Sequence, residues 1–192
     1  MKDFAKKLAH IILGEYSAYH VYARSNEGST PPQLSTASPF RVTEVDESAI
    51  KLSPDALIRE QAGYAGPGSL AYACFDGDRI VGLCFYWFGE RYLKRNFWPL
   101  AEGEAKLVQI VSLPEIRGRG VATTLIKSSF QDMSEKGFSR SYARIWHSNT
   151  PSIRAFERAG WMRIALVLEI NPLRRSQPIR MRFNARAPAR IA

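Results

Sequence analysis

The fold is decided by Leu113-Pro-Glu-Ile-Arg-Gly-Arg-Gly-Val-Ala-Thr-Thr-Leu125, which joins an apolar strand pattern to an amphipathic helix pattern. Two of its glycines, Gly118 and Gly120, let a ligand lie against the backbone. The first turn of the helix offers N–H groups without intrahelical partners, and the helix dipole adds partial positive charge. The turn therefore predicts a site for phosphate or pyrophosphate, although Gly-x-Gly alone fits equally well with a tight turn that binds nothing.

This turn differs from two common nucleotide-binding motifs. It lacks the Gly-Lys-Ser/Thr of a Walker P-loop, and Thr123 stands where a dinucleotide fingerprint has its third glycine. Arg117 and Arg119 add formal positive charge to the turn. The residues therefore predict an anion site without identifying a mononucleotide or dinucleotide.

Strand and helix patterns alternate on both sides of the turn. Segments rich in apolar and β-branched residues predict strands at 40–45, 70–75, 80–88, 106–111, 142–146, 161–170 and 179–183. Capping residues and helical periodicity predict helices that start near 53 and that span 121–136 and 151–159. Asp76-Gly77-Asp78 is typical of a hairpin turn. The order predicts an α/β fold with a mixed central sheet and helices on its faces.

The chain divides into three regions. Residues 1–39 are predicted to form an N-terminal helical arm, because apolar residues within 4–13 share one helix face, and a Pro/Ser-rich linker over 25–39. Residues 40–185 hold the strand and helix patterns and are predicted to form the main domain. Residues 186–192 are predicted to form a basic C-terminal tail.

Composition excludes several classes of protein. The 192 residues are 45% hydrophobic and 23% charged, as in ordinary globular chains. No apolar run approaches the ~20 residues of a membrane-spanning helix, and the N-terminus does not resemble a secretory signal. Cys74 and Cys84 cannot form a cysteine-rich zinc site, and no metal site is predicted. If the hairpin pairs Cys74 with Val81, a disulfide is out of reach, so we expect free thiols and a cytoplasmic location.

The net charge of +9 is concentrated near the C-terminus. Residues 171–192 contain six arginines and no acid, so the rest of the chain has 21 basic against 18 acidic residues, or +3. Such a segment can meet nucleic acid, an acidic lipid surface or a polyanionic cofactor, and nucleic-acid binding would depend strongly on salt. A solvated strand and tail is the favoured alternative, so nucleic acid is not the predicted partner.

Two blocks of sequence resemble the GNAT superfamily of acyl-CoA-dependent N-acyltransferases. Arg117-Gly-Arg-Gly-Val-Ala122 is similar to the family's (Gln/Arg)-x-x-Gly-x-(Gly/Ala) signature. Asn149-Thr-Pro-Ser-Ile-Arg-Ala-Phe-Glu-Arg-Ala-Gly-Trp161 is similar to its Asn-x-x-(Ala/Ser)-x-x-x-(Tyr/Phe)-x-x-x-Gly-Phe block. The resemblance covers about residues 40–185. It implies a GNAT-like sheet of about six or seven strands, with helices on both faces and a V-shaped splay between two central strands, 106–112 and 140–147.

The resemblance also implies where acetyl-CoA, the acyl donor, would bind. Its pantetheine arm would lie in the splay and pair with the backbone of Ile110, Val111 and Ser112, and a backbone N–H near Val111 would hold the oxyanion. Asn149 would hydrogen-bond the donor, with a helix N-cap as its alternative role. The residues implied for the pyrophosphate are Arg117, Gly118, Arg119, Gly120, Val121, Ala122 and Thr123.

The implied reaction is direct attack of a primary amine on the thioester, which needs a base for the amine and an acid for the thiolate. In many relatives a Tyr supplies the acid, but here the position is Phe156, and Arg144 replaces the Glu base of some relatives. His147 is the predicted substitute, because imidazole exchanges protons near neutral pH; a structural role is its alternative. Glu104 and Glu90 are weaker candidates for the base.

Arg144 and Trp146 are the predicted substrate-binding residues. Strand alternation places them on one face, and if this face lines the splay, Arg144 can bind a carboxylate or phosphate of the acceptor. An ion pair with a nearby acid is the alternative for Arg144. Aromatic residues between 85 and 98 predict either an aromatic acceptor pocket or ordinary sheet packing.

Two functions are compatible with these residues. The first is an N-acetyltransferase whose partner is a small-molecule or protein amine. The second is a catalytically degenerate acyl-CoA-binding module, because the usual acid and one usual base are both absent. A homodimer is compatible with the sequence in either case.

Overall fold

The computed structural model describes residues 15–26, 39–94, 97–171 and 179–185. The strands are β1 (Glu15–Ser25), β2 (Arg41–Val45), β3 (Ser69–Asp76), β4 (Arg79–Trp87), β5 (Glu104–Ser112), β6 (Arg140–Trp146), β7 (Met162–Asn171) and β8 (Ile179–Asn184). The helices are α1 (Glu47–Lys51), α2 (Ala56–Arg59), α3 (Gly89–Leu93), α4 (Val121–Glu135) and α5 (Thr150–Arg158), with 3₁₀ turns at Ala62–Tyr64 and Pro114–Ile116.

The eight strands form one mixed sheet in the order β2-β3-β4-β5-β6-β1-β7-β8. Within the described residues, one neighbouring pair, β5 and β6, runs parallel, and the others are antiparallel. A parallel pair needs a crossover connection, which α4 supplies. The predicted mixed α/β sheet is confirmed, with eight strands rather than six or seven because β1 joins it.

Helices cover both faces of the sheet, as predicted. On the face that carries α4, the Oγ of Ser129 lies 3.0 Å from the hydroxyl of Tyr86. On the opposite face, Tyr64 of the first 3₁₀ turn packs against Phe85 and Trp87, with ring centroids 5.4 and 5.8 Å apart. Because β4 is buried on both sides, its sequence shows a continuous apolar run rather than alternation.

The first strand, β1, lies inside the sheet between β6 and β7. Tyr19, Val21 and Tyr22 are buried, and Tyr19 pairs with Trp146. From the sequence, these residues are predicted to lie in an arm ahead of the main domain, whereas the structure places them in its sheet. A strand buried on both faces does not alternate polar and apolar residues, so its pattern does not reveal it.

Other predicted segments fall outside the described residues. These are the helix within 4–13, the linker over 27–38 and the basic tail over 186–192. Within the part of the chain that the structure describes, no helix has the length and apolar character needed to cross a membrane.

The predicted hairpin joins β3 to β4, with Phe75 opposite Ile80 as expected. A bulge then shifts the register, so Cys74 faces Gly82 rather than Val81. Both Cys74 and Cys84 are free and buried, and burial raises the pKa of Cys74 to about 12. The thiols are therefore neutral core groups rather than reactive thiolates.

Gly82 allows α4 to lie close to the sheet. A Cβ at this position would lie 2.8 Å from Cγ1 of Val121, 3.0 Å from the carbonyl oxygen of Val111 and 3.1 Å from Cδ1 of Leu125. These atoms belong to β5 and to the first two turns of α4. The start of α4 thus depends on the absence of a side chain at Gly82.

Replacing Gly82 by Ala should lower the free energy of unfolding by about 1–3 kcal/mol, because an added methyl group overpacks this contact. Urea unfolding followed by circular dichroism measures the change. Gly63→Ala is the matched control, because a Cβ there has no atom within 4 Å. Equal losses in the two variants would contradict a packing role for Gly82.

Candidate active site

The parallel strands β5 and β6 separate halfway along their length. Their pairing runs from Glu104 opposite Arg140 to Leu107 opposite Ala143 and stops there. Just after Leu107, β5 carries a bulge. The neighbouring β4 residues 85 and 86 pair with residues 109 and 107 of β5, so Val108 is an extra residue without a partner on β4. A bulge bends its strand, so the end of β5 turns away from β6. The predicted V-shaped splay is confirmed.

The pairing of β5 with β4 fixes which backbone groups face the gap. The N–H of Leu113 donates to the carbonyl of Val81 at 2.9 Å, and hydrogen-bonded pairs alternate along an antiparallel ladder. The N–H and C=O of Ile110 and Ser112 therefore point into the gap. Those of Val111 point to β4, so Val111 is less suited than its two neighbours to the predicted pairing with a ligand.

The Gly-rich turn before α4 is open. Gly118 and Gly120 have φ of 82° and 90°, a left-handed conformation that favours glycine, and a Cβ on either would have no atom within 4 Å. No side chain caps α4. The first hydrogen bond into the helix is donated by Thr124 to the carbonyl of Gly120, which leaves the N–H groups of residues 121–123 for a ligand.

The two arginines of this turn differ in their surroundings. Arg119 forms an ion pair with Asp76 at 3.3 Å, and its guanidinium lies 5.3 Å from the centroid of the Phe40 ring. Arg117 is exposed and forms no ion pair with a described residue. Arg117 is thus the more available of the two for an anionic ligand.

Asn149 is placed by α5, whose N-terminus it caps. Its Oδ1 accepts a hydrogen bond from the N–H of Ser152 at 3.3 Å, which is the N-cap role weighed in the sequence analysis. The residue also lines the gap between β5 and β6. Because capping uses only the carbonyl oxygen, the Nδ2 group can still donate to a ligand.

A cavity of about 560 Å³ lies in the splay. Its lining includes residues from both faces of the sheet, with Phe156 on the α4 face and Arg144 and Trp146 on the opposite face. The residues that line it are Lys94, Phe97, Leu107, Val108, Gln109, Ile110, Ala143, Arg144, Ile145, Trp146, Asn149, Ser152, Phe156, Glu169 and Arg180. We call this space the splay cavity.

Phe156 lines the splay cavity at the position where many relatives would have a Tyr. Its ring is buried against Trp161 and Tyr22, with centroids 5.0 and 6.3 Å away. The one hydroxyl group among the lining residues belongs to Ser152, one turn earlier on α5. The family-like sequence block contains Ser152, but its pattern assigns no chemistry to that position.

The predicted base candidates do not line the splay cavity. His147 is exposed in the turn after β6, with Nδ1 3.1 Å from the carbonyl oxygen of Ala18. Glu104 accepts hydrogen bonds from the hydroxyl of Tyr142 and the N–H of Ala101. Glu90 is exposed on α3. The role of His147 in catalysis stays a prediction.

Glu169, which was not predicted from the sequence, is the one carboxylate among the described residues that line the cavity. It accepts hydrogen bonds from Ser17 at 3.2 Å, from Tyr19 at 3.0 Å and from Arg180 at 2.7 Å. Burial alone would raise its pKa, but the Tyr19 hydrogen bond and the Arg180 charge together lower the pKa of Glu169. Burial and the same hydrogen bond raise the pKa of Tyr19 to about 12. The pair is therefore a carboxylate and a neutral phenol at pH 7.

Arg144 projects into the splay cavity on the face opposite α4. Its guanidinium carbon lies 5.2 Å from the centroid of the Tyr19 ring and 5.4 Å from those of Phe97 and Trp146. Arg144 is exposed and forms no ion pair with a described residue, so the ion-pair alternative finds no support there. Trp146 is 46% exposed and lines the same wall, as the strand alternation predicted.

The aromatic residues between 85 and 98 divide between the two predicted roles. Phe97 lines the splay cavity, whereas Phe85, Tyr86, Trp87 and Tyr92 are buried in the core and do not line it. Most of this aromatic cluster is therefore sheet packing.

Lys106 supports the cavity wall from within the core. Its side chain is fully buried, and Nζ lies 3.7 Å from the centroid of the Tyr92 ring and 3.9 Å from that of Phe97. Nζ also donates a hydrogen bond to the carbonyl of Trp98. These contacts hold the segment that carries Phe97 against the start of β5.

These features together define an acyltransferase-type fold: parallel strands that separate, an open Gly-rich turn and a capped helix beside the gap. The sequence profile described as the Acetyltransferase (GNAT) family matches residues 38–161. The match covers more than half of the chain, which therefore belongs to the GNAT family. Comparison with curated protein sequences finds no match.

Solved structures share this fold at low sequence identity. The GCN5-related N-acetyltransferase from Sphaerobacter thermophilus is 14% identical, with a TM-score of 0.55 over 96% of this chain and 56% of its own. The GNAT-family acetyltransferase from Colwellia psychrerythraea is 11% identical, with a TM-score of 0.57 over 87% of this chain and 60% of its own. The chain thus spans less than two thirds of either protein, and likeness at this identity supports the fold alone.

Burial of Lys106 predicts a pH dependence of stability. Burial above all, with Arg144 and Arg180, lowers the pKa of Lys106 to about 6. The ring faces favour the charged ammonium by about 1–2 kcal/mol, which is less than the several kcal/mol needed to remove it from water. The amine is therefore neutral at pH 7 in the folded protein, but protonated in the unfolded chain.

Above pH 6, Lys106 carries a proton in the unfolded chain but not in the folded protein. Its contribution to the free energy of unfolding should therefore rise with pH, up to the ordinary lysine pKa of about 10.4. We expect Lys106→Met to lose this slope, which is at most about 1.4 kcal/mol per pH unit. Urea unfolding at pH 6.5 and pH 9 measures it, and Lys51→Met, at an exposed lysine, corrects for loss of a lysine side chain. Identical slopes in wild type and Lys106→Met would contradict the neutral state.

Proposed function

We propose that this protein transfers an acetyl group from acetyl-CoA to a primary amine. The supporting observation is that β5 and β6 separate beside an open Gly-rich turn, and that the cavity between them is lined by residues of both faces of the sheet. A donor bound on one face and an acceptor bound on the other could therefore meet at the same point. Direct transfer needs both reactants bound together with their reacting atoms close.

The donor would bind on the α4 face. The N–H groups at the start of α4, with Arg117, suit the diphosphate of CoA. The gap-facing backbone groups of Ile110 and Ser112 suit the amides of the pantetheine arm, and Nδ2 of Asn149 can donate to it. This places the thioester where the splay begins, beside Val108.

The chemistry needs one base, one oxyanion donor and one proton for the leaving group. The acceptor amine begins as an ammonium. After the base removes its first proton, the neutral nitrogen attacks the thioester carbonyl carbon, and the C–S bond breaks to give a thiolate. The nitrogen releases its second proton as the amide forms, and this proton converts the thiolate to the CoA thiol. A gap-facing N–H near Val111, that of Ile110, is the candidate donor to the oxyanion.

Glu169 is the base that the geometry favours. Its carboxylate lines the splay cavity and is ionised at neutral pH, since its pKa is lowered. Loss of activity through its protonation should begin only below the ordinary range of a Glu. His147, which the sequence predicted, remains a proposal for the same step, although its ring lies outside the cavity lining.

The second candidate function is an acyl-CoA-binding module without turnover, and Phe156 is the observation that favours it. A phenyl ring cannot protonate a thiolate. Ser152 is the hydroxyl that could act instead, either directly or by ordering a water molecule. The transferase proposal therefore depends on Ser152 or on water as the acid.

Calorimetry with acetyl-CoA, combined with a thiol-release assay over a panel of primary amines, separates the two functions. The transferase should bind acetyl-CoA and release thiol only when a suitable amine is present. Tight binding with no release for any amine would favour the module. No binding at all would contradict both functions.

The donor site itself can be tested with two matched glycines at opposite ends of α4. Gly120 and Gly137 have φ of 90° and 92°, and a Cβ at either would meet no atom within 4 Å. Alanine at each should strain the backbone by about 1–2 kcal/mol. Only Gly120→Ala should also weaken acetyl-CoA binding, by about 10-fold if one N–H contact is lost. Equal affinity of the two variants would contradict a donor site at this turn.

The base can be identified by comparing two variants at pH 7. Glu169→Gln removes the proton acceptor, so we expect turnover to fall about 100-fold while acetyl-CoA affinity stays near that of wild type. His147→Ala should have little effect if Glu169 is the base. The opposite pattern, a loss in His147→Ala with Glu169→Gln near wild type, would assign the step to His147.

A further inference from the structure

The wall of the splay cavity carries an excess of positive charge. Among the described residues that line it, the charged ones are Lys94, Arg144 and Arg180 against the single carboxylate of Glu169. Arg180 and Glu169 neutralise each other through a contact of 2.7 Å. Lys94 and Arg144 form no ion pair with a described residue, so two positive charges lack a counter-charge there.

Two of these positive charges also act on a lysine that is buried in the core. Arg144 and Arg180 both contribute to the lowered pKa of Lys106, although burial is the larger cause. Lys106 therefore adds no third free charge to the wall at neutral pH. A positive wall without internal compensation favours an anionic ligand.

Arg144 lies among three aromatic rings. Its guanidinium carbon is 5.2 Å from the centroid of the Tyr19 ring and 5.4 Å from those of Phe97 and Trp146. Two of these rings are themselves supported, since the hydroxyl of Tyr19 donates to Glu169 at 3.0 Å and Phe97 packs edge-on against Tyr19 with centroids 6.4 Å apart. The guanidinium can therefore rest on ring faces while its N–H fork is available to a planar oxyanion.

We propose that the amine acceptor carries a carboxylate or phosphate group, and that Arg144 binds this group. This inference rests on the proposed transferase function and specifies its substrate class. The amine of the acceptor reaches the thioester near Val108, with Glu169 as the base, while its acid group stays against Arg144. Polycationic amines are disfavoured, because Lys94 and Arg144 would repel them.

The test compares matched acceptors at saturating acetyl-CoA. β-Alanine and γ-aminobutyrate are each paired with the corresponding amide, and 2-aminoethyl phosphate is paired with ethanolamine. Wild type should have the higher kcat/KM for the anionic member of at least one pair. The carboxylate and phosphate pairs show which oxyanion is preferred.

Arg144→Ala should reduce that preference about 10- to 100-fold, as expected for loss of one charge-assisted contact. The preference, which is the kcat/KM of the anionic acceptor divided by that of its neutral partner, is compared between wild type and variant. Because both proteins meet the same two amines, differences in intrinsic reactivity between the amines cancel. Arg144→Lys keeps the charge but not the fork, and should lose only part of the preference. Arg163→Ala is the control, since Arg163 is exposed on β7 and does not line the cavity; it should keep the wild-type ratio.

Two results would overturn the inference while leaving the transferase function intact. One is an unchanged preference in Arg144→Ala. The other concerns the acyl donor. If wild type prefers succinyl-CoA to acetyl-CoA, and Arg144→Ala loses this preference but keeps the wild-type ratio of kcat/KM between anionic and neutral acceptors, then Arg144 binds the carboxylate of the acyl chain and not that of the acceptor.

If no amine is acetylated, the proposed transferase function fails. The proposal that Arg144 binds a carboxylate or phosphate is then tested by binding alone. Calorimetry then measures the same acids and amides with protein saturated with CoA. Binding of an acid that is lost in Arg144→Ala supports the anion site. Equal affinity for an acid and its amide in wild type overturns it.

Discussion

The bulge at Val108 is the constraint on which the site depends. It ends the pairing of β5 with β6 at Leu107 and leaves the backbone groups of Ile110 and Ser112 facing a gap instead of a neighbouring strand. Backbone N–H and C=O groups inside a protein are strong hydrogen-bonding groups that need partners. A sheet that opens at its centre therefore binds water or a ligand there, and an extended ligand with amide groups can replace the missing strand. The same opening brings residues of both sheet faces into the lining of the splay cavity.

The two ends of the splay cavity differ in chemistry because different elements build them. The α4 face offers backbone N–H groups at a helix start, which any oxyanion can use. The opposite face offers side chains from β6, β7 and β8, among them Arg144, Glu169 and Arg180, with Tyr19 of β1 behind Glu169. The proposed donor side therefore follows from a local turn, whereas the proposed acceptor side is assembled from strands distant in sequence. Acceptor preference can change among such proteins without any change in the turn.

This difference also explains what could be predicted from the sequence. The turn before α4 and the cap of α5 are local, and their glycines, Asn149 and helical periodicity were sufficient to predict them. The contact between Tyr19 and Glu169 joins residues 150 positions apart. Because β1 is buried on both faces, its sequence shows no alternation, and an N-terminal arm was predicted in its place. Without β1 in the sheet, nothing in the sequence brings Glu169 to the site.

Lys106 and Arg144 show how one wall can hold two basic residues. The centroid of the Phe97 ring lies 3.9 Å from Nζ of Lys106 and 5.4 Å from the guanidinium carbon of Arg144. Two full charges this close to one ring would repel each other in a medium of low dielectric. An ammonium can release its proton when buried, but a guanidinium cannot, so the lysine is the residue that becomes neutral. The charge therefore remains on Arg144 at the cavity surface, where an incoming anion can reach it.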